Sequence, residues 1–182
     1  MTEDGKFAAE WFETPLGAML AIADDRHLLA LTFQEVEQGA NAADVTVRHN
    51  GRPVRSGGNH ITHQVGRELA DYFSGKGGDF TTPLAPQGND FERAVWAELL
   101  KVPLGETCSY GDIARTVANL EASRAVGKAN GANPIPIIIP CHRCIGADGS
   151  LTGYGGGLWR KKWLLRHEAE MRPTGLFAYS AR

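Results

Sequence analysis

The first third of the chain carries short apolar runs cut by turn signals. Residues 7–12, 18–23 and 28–33 read as β-strands. Thr14-Pro15-Leu16-Gly17 separates the first two and Asp24-Asp25 the next two, which is hairpin punctuation. Residues 34–59 are rich in Gly, Asn, Asp and Arg with little periodicity, and predict a loop or a weak hairpin. Apolar residues then recur at helical spacing: Ile61, Val65, Leu69 and Phe73 predict a helix over 60–74, stopped at Gly75. Residues 79–85 predict one more strand, and Pro86-Gln87-Gly88 a linker.

Beyond the linker the pattern is helical. Asn89 or Asp90 can cap a helix whose stripe is Phe91, Val95, Leu99 and Leu100, ending before Pro103 and Gly105. Residues 109–118 form a short amphipathic helix, followed by a turn at Asn119-Leu120 and a second helix from Glu121 to about Asn130. That is the layout of a helix-turn-helix. The second helix is made of small residues, with Arg124 and Lys128 its cations. The ordinary meaning of such a surface is close packing on another helix. The other is close approach to DNA: a helix is about 10–12 Å across, and the minor groove is only about 6 Å wide. Residues 145–157 predict a Gly-rich loop. Residues 158–169 predict a last helix, with Trp159, Trp163, Leu164 and Leu165 on its buried side. A weakly ordered tail follows, 173–182. The expected fold class is α/β (α+β). A small supporting domain with an antiparallel sheet spans 1–85, and a mostly helical domain spans 89–172.

One stretch breaks both rhythms. Asn133-Pro134-Ile135-Pro136-Ile137-Ile138-Ile139-Pro140 leads directly into Cys141-His142-Arg143-Cys144. Three isoleucines between prolines predict a short buried strand that delivers a thiol to its own end. Cys141 then has three readings: a buried structural cysteine, half of a Cys-x-x-C redox or metal site, or a nucleophile served by an imidazole. Zinc would need a second ligand pair, and Cys108 is the one other cysteine.

Composition narrows the class. The chain has 182 residues, 42% hydrophobic and 22% charged, as in an ordinary globular protein. Its three cysteines make no disulfide framework and fit a reducing cytoplasm. No basic-then-apolar leader and no run long enough to span a bilayer is present, so no membrane is expected. The net charge of −2 hides an asymmetry. Residues 1–88 carry 7 Lys+Arg against 12 Asp+Glu, whereas residues 89–182 carry 12 against 9. The basic excess lies with the cysteine and is compatible with a phosphate-facing surface.

Taken together, Asn133-Pro134-Ile135-Pro136, Pro140-Cys141-His142-Arg143, Gly153-Tyr154-Gly155-Gly156-Gly157-Leu158 and Trp163-Leu164-Leu165-Arg166-His167-Glu168 resemble the O6-alkylguanine-DNA alkyltransferase family. The resemblance is dense from about Asn89 to Glu168. It implies a DNA repair protein that moves an alkyl group from O6 of guanine (and from O4 of thymine) onto Cys141, once per molecule and without a cofactor. His142 and Glu168 would form a Glu–His–water–Cys relay, because adjacent side chains on extended backbone point apart. Asn133 would be the hinge before the cysteine segment, and Tyr110 the proton donor near the purine and the 3′ phosphate. The partner would be double-stranded DNA carrying O6-alkylguanine, entered from the minor groove by the second helix. Arg124 would fill the stack left by a flipped base. Ser123, Ala125, Gly127, Lys128 and Gly131 would line that contact. Cys144, by its carbonyl, with Tyr154, Gly155 and Gly156 would form the base pocket. The resemblance further implies a cytoplasmic monomer, on the nucleoid when bound to DNA. Some family members hold a structural zinc in the first half; with no cysteine there, and with His60 and His63 close to a helix start and without a paired carboxylate, no metal is expected.

Two positions depart from the family pattern. Cys144 stands where Val or Ile is usual, which opens a Cys141–Cys144 disulfide. Gly155 stands where Ser is common, so a hydroxyl contact to O6 is lost. Two other functions stay open at this point: a lesion-binding sensor of the alkyltransferase-like type, disfavoured by the presence of Cys141, and a thiol redox protein using Cys141 and Cys144.

Overall fold

The computed structural model describes residues 7–34, 48–49 and 52–172. The remainder of the 34–59 segment and the tail 173–182 lie outside the described residues. Strands β1 (Ala8–Thr14), β2 (Gly17–Ala23) and β3 (Leu28–Phe33) form two antiparallel hairpins. Thr14 closes the first: its hydroxyl donates to the Gly17 carbonyl at 2.7 Å, and Gly17 takes φ +106°, open to a residue without Cβ. In the second, Asp24 Oδ1 accepts from the backbone N–H of Arg26 and His27, each at 2.7 Å. Short strands β4 (Arg48–His49) and β5 (Arg52–Pro53) pair antiparallel, as the weak-hairpin reading expects. β6 (Arg55–Ser56) runs parallel to β1, giving the order β3-β2-β1-β6. One face of the sheet buries Met19, Ala21, Ala23 and Leu31 against Ile61, Val65, Leu69 and Tyr72 of helix α1 (His60–Phe73).

The strand predicted over 79–85 shrinks to a single bridge between Leu28 and Leu84. Pro83 has no N–H to give a ladder. The backbone before it folds onto Glu68, which accepts from Thr81 N at 2.9 Å and from the Thr82 hydroxyl at 2.7 Å.

Helix α2 (Asp90–Leu99) starts at an Asn89–Glu92 capping box. It buries Val95, Trp96 and Leu99; Leu100, expected on that stripe, is 49% exposed. Strand β7 (Cys108–Ser109) leads into helix α3 (Tyr110–Val117), again through a capping box, Ser109–Asp112. The second helix of the pair does not start at Glu121. A 3₁₀ turn spans Leu120–Ala122, and helix α4 runs Ser123–Gly131. The Trp96 indole N–H donates to the Ala129 carbonyl at 2.8 Å and ties α2 to α4. Helix α5 (Leu158–Met171) also differs from expectation: Lys161, Leu164 and Glu168 are its buried residues, while Trp159 is 56% exposed.

The largest correction concerns the cysteine segment. Ile135 and residues 137–140 are buried, but not as a strand. Ile139 N–H bonds to the Ile135 carbonyl at 3.0 Å, and Cys141 N–H reaches the Ile139 carbonyl at 2.8 Å around Pro140 (φ −82°, ψ 61°), an inverse γ-turn. Prolines 134, 136 and 140 lack the N–H groups that a ladder needs. The isoleucines are therefore buried by a folded turn, with one backbone bond to the sheet, Leu31 N–H to the Pro134 carbonyl at 2.9 Å. Ile137 sits at φ +75°, a strained position for a β-branched residue. Cys141 opens a 3₁₀ turn (Cys141–Arg143), and β8 (Cys144–Ile145) follows, parallel to β7.

Candidate active site

Cys141 borders a cavity of about 210 Å³ lined by Thr32, Phe33, Asn130, Gly131, Asn133, Pro136, Cys141, Tyr154, Gly155 and Gly156. Asn133 fixes the turn from both sides. Its Nδ2 donates to the Ile139 carbonyl at 2.8 Å, and its Oδ1 accepts from Ile135 N–H at 2.9 Å. Burial pushes the Cys141 thiol up to about 11. A hydrogen bond from Asn133 and the Lys161 charge oppose that rise without cancelling it. The resting thiol is therefore protonated and needs a base at the moment of reaction.

A candidate for that base is next in the chain. His142 and Cys141 share a 3₁₀ turn, so the extended-strand argument that set them on opposite faces does not apply. His142 is fully buried, and burial holds its pKa below the ordinary value despite the carboxylate beside it. Its Nε2 lies 2.7 Å from Glu168 Oε1. A carboxylate there assigns the proton to Nε2 and leaves the lone pair on Nδ1, which is buried without a partner among the described residues. Burial alone would raise the Glu168 pKa. Hydrogen bonds from His142 and Arg143, with the Arg143 charge, hold it well below the carboxylate range. Arg143 Nε reaches Oε2 at 2.8 Å and Nη2 reaches Oε1 at 2.9 Å, a two-pronged contact. Gly105 N–H donates to Oε2 at 3.2 Å.

The last donor comes from the sheet half. Tyr72 of α1, completely buried, gives its hydroxyl proton to Glu168 Oε1 at 2.9 Å. Thr32 and Phe33 of β3 wall the cavity, and Arg160 binds the Leu16 carbonyl at 2.8 Å while stacking over Phe33 at 4.5 Å. No single-residue signal in the sequence marks these contributions.

The remaining predicted residues fall in three places. Tyr154, Gly155, Gly156 and Gly131 are on the cavity. Asn130, not singled out from the sequence, joins them; its Nδ2 donates to the Cys141 carbonyl at 3.2 Å, while its Oδ1 and the Tyr154 hydroxyl are buried without partners among the described residues. Arg124, Ala125 and Lys128 project from the exposed face of α4, beside Ser123 and Gly127. A Cβ on Gly127 or Gly131 would meet nothing within 4 Å, so packing inside the protein does not require their smallness. Tyr110 lies apart from the cavity lining. Its hydroxyl donates to the Thr152 carbonyl at 2.8 Å and holds the Gly-rich loop. Cys144 is also off the lining, and its carbonyl accepts from the buried Lys161 ammonium at 2.6 Å. Its thiol faces Cys108, not Cys141. Among the described residues, no group of three or more His, Cys, Asp or Glu could hold a metal.

A buried thiol on a cavity wall, followed by a buried histidine–carboxylate pair and accompanied by a helix pair whose second member exposes Arg124, Ala125 and Lys128, is the layout of a cysteine-centred site beside an open helix face. Two family models match the chain: the 6-O-methylguanine DNA methyltransferase ribonuclease-like domain over residues 9–86 and the DNA-binding domain of the same family over residues 90–170. A methylated-DNA–protein-cysteine methyltransferase of Methanosarcina acetivorans is 41% identical over 157 residues, 86% of this chain and 95% of that protein. One from Mycobacterium bovis is 52% identical over 109 residues, 60% of this chain and 66% of that protein. The solved O6-methylguanine methyltransferase of Mycobacterium tuberculosis superposes with a TM-score of 0.76 at 38% identity, covering 93% and 97% of the two chains. The M. tuberculosis OGT solved in complex with DNA gives 0.74 at 36%, covering 96% and 99%. This chain belongs to the 6-O-methylguanine DNA methyltransferase family.

Proposed function

We infer that this protein repairs DNA by taking the alkyl group of O6-alkylguanine, and of O4-alkylthymine, onto Cys141 in an irreversible, single-use reaction. The observation that carries the reading is Cys141 on the wall of a cavity, followed in the chain by the buried His142 that is paired with Glu168. The Cys141 proton passes through a water to His142 Nδ1, while Nε2–H stays on Glu168. The imidazolium so formed sits against a carboxylate already ionised. The thiolate attacks the alkyl carbon in line. The S–C bond forms, the C–O6 bond breaks, and its electrons leave on the base. Tyr110 supplies the proton that neutralises the base, after releasing the Thr152 carbonyl. The thioether has no hydrolysable bond, so the protein is spent.

The base reaches Cys141 by flipping from double-stranded DNA; the M. tuberculosis OGT was solved in complex with DNA. The exposed face of α4 enters the minor groove. Gly127 and Gly131, open on their outer side, support that reading, with Arg124 placed to fill the vacated stack. Tyr154, Gly155, Gly156 and Asn130 contact the base. Residues 1–85 act as a supporting domain and 89–172 as the working one. The protein works as a monomer, in the cytoplasm and on the nucleoid when bound to DNA. The sensor reading is disfavoured because Cys141 is present. The redox reading on Cys141 and Cys144 is disfavoured because Cys144 faces Cys108.

Intact-mass spectrometry tests this after mixing with a short duplex containing one O6-methylguanine. One added methyl on Cys141, absent in Cys141→Ala, is the expected result. Tight binding to the lesion duplex with no added mass would overturn the transfer and leave a sensor.

A further inference from the structure

Behind the cavity lies a cluster that alkyl transfer does not use. Cys108 on β7 and Cys144 on β8 are directly opposite one another in a parallel pair. Both are free thiols, and each perturbs the titration of the other. Adjacent strands lie about 4.8 Å apart, and a disulfide needs Cα atoms about 4.4–6.8 Å apart. The backbone therefore already holds this pair at bonding distance. Cys141 is engaged elsewhere, with Asn133.

The two thiols have unequal access and unequal acidity. Cys108 is partly exposed, whereas Cys144 is fully buried. Interaction with the Cys144 thiol holds the Cys108 thiol below its ordinary range, and the same interaction raises that of Cys144. The buried Lys161 ammonium, fixed on the Cys144 and Thr152 carbonyls at 2.6 and 2.9 Å, adds positive charge beside both. An accessible thiol of lowered pKa next to a buried second thiol is the arrangement of an attacking and a resolving cysteine.

We propose that Cys108 and Cys144 are a second thiol site, which closes to a disulfide on meeting a low-molecular-weight disulfide and does so ahead of Cys141. The Cys108 thiolate attacks one sulfur of the small disulfide; that S–S bond breaks and the first small thiol leaves. Cys144 gives up its proton and attacks Cys108 Sγ in the mixed disulfide, and the second small thiol leaves. Two protein thiols are oxidised and one small disulfide is reduced to two thiols. Because the strands are already at bonding distance, the turn that carries Cys141 stays in place, and the alkyl acceptor remains a free thiol.

The test exposes the folded protein to oxidised glutathione, blocks remaining thiols after unfolding, and maps each cysteine by peptide mass. The readout does not pass through DNA, so its failure and the failure of the repair reading are separate results. The expected outcome is a Cys108–Cys144 cross-linked peptide with Cys141 in the blocked, reduced fraction. Cys108→Ser should lose every internal disulfide. In the wild-type protein, three results would each overturn the proposal. One is glutathione or an internal disulfide on Cys141 first. Another is a mixed disulfide that stays on Cys108. The third is three reduced thiols at a concentration that oxidises the unfolded chain. An internal disulfide surviving in Cys108→Ser would do the same by assigning the bond to Cys141 and Cys144.

Discussion

The sheet half and the helical half of this protein meet at Glu168 and reach it by different means. In the helical half, the 3₁₀ turn after Pro140 presents His142 and Arg143, and α5 presents Glu168 itself. In the sheet half, α1 delivers the Tyr72 hydroxyl to the same carboxylate oxygen that holds His142. The helical half carries the buried carboxylate and the sheet half completes its hydrogen bonding. A supporting region in this fold is therefore not only a scaffold; it helps to keep a buried carboxylate ionised.

The sharpest way to break that arrangement is Glu168→Gln. It leaves the Arg143 guanidinium buried without its counter-charge, and breaking a buried pair in this way costs about 3–5 kcal/mol. Urea unfolding at neutral pH measures it. The pH dependence sharpens the point. The native Glu168 pKa is held well below its unfolded value of about 4.3. Its contribution is complete above that value and is lost as pH falls below it toward the native one. His142 acts in the same direction from a higher pH, because its lowered native pKa means that the unfolded chain takes up the proton first, below about 6.5. Wild-type stability should fall in both ranges, and Glu168→Gln should lose the lower one.

Tyr72→Phe tests the contribution of the other half. The ring stays in its aromatic cluster with Phe73, Phe80 and His167, and one hydrogen bond to a charged acceptor is lost. The expected loss is about 1.5–3 kcal/mol. A loss near zero would mean that Arg143, His142 and Gly105 satisfy Glu168 unaided.

How much of this was legible in the sequence differs between the halves in the same way. The hairpins were, because Pro15, Gly17 and Asp24 set local turn geometry. Cys141, His142 and Glu168 were, because a motif fixes them. The fold of 135–140 was not: burial selects isoleucine whether the backbone is a strand or a turn, and only the three prolines hint that no ladder forms. Tyr72 was hidden because its partner lies 96 residues away and a buried Tyr on an apolar stripe looks like core. Lys161 was hidden because a lysine among Arg160 and Lys162 looks like a solvated face, although it is completely buried. The Cys108–Cys144 pair was missed because two-residue strands leave no period to read.

The turn itself yields a comparison of two neighbours. Ile137 and Ile139 are both completely buried, so truncating either removes similar packing. Only Ile137 sits at positive φ. Glycine there relieves backbone strain of order 1–3 kcal/mol, so Ile137→Gly should destabilise by about that much less than Ile139→Gly. Equal losses in urea unfolding would show that the strain is negligible.

The smallest effect on stability has the opposite sign to its effect on function. Gly127 lies inside α4 with open space where a Cβ would go. Alanine at an unhindered helical position stabilises by about 0.5–1 kcal/mol, because glycine loses more backbone entropy on folding. If packing against the rest of the protein had selected the glycine, Gly127→Ala would destabilise. If a DNA groove selects it, the free protein gains stability while affinity for a duplex falls, since each added carbon must then be accommodated by a groove narrower than the helix. Thermal unfolding and a duplex titration on the same variant separate the two: more stable and weaker-binding is the expected result. A more stable variant with unchanged affinity would remove Gly127 from the contact face and leave Arg124, Ala125, Lys128 and Gly131 to define it.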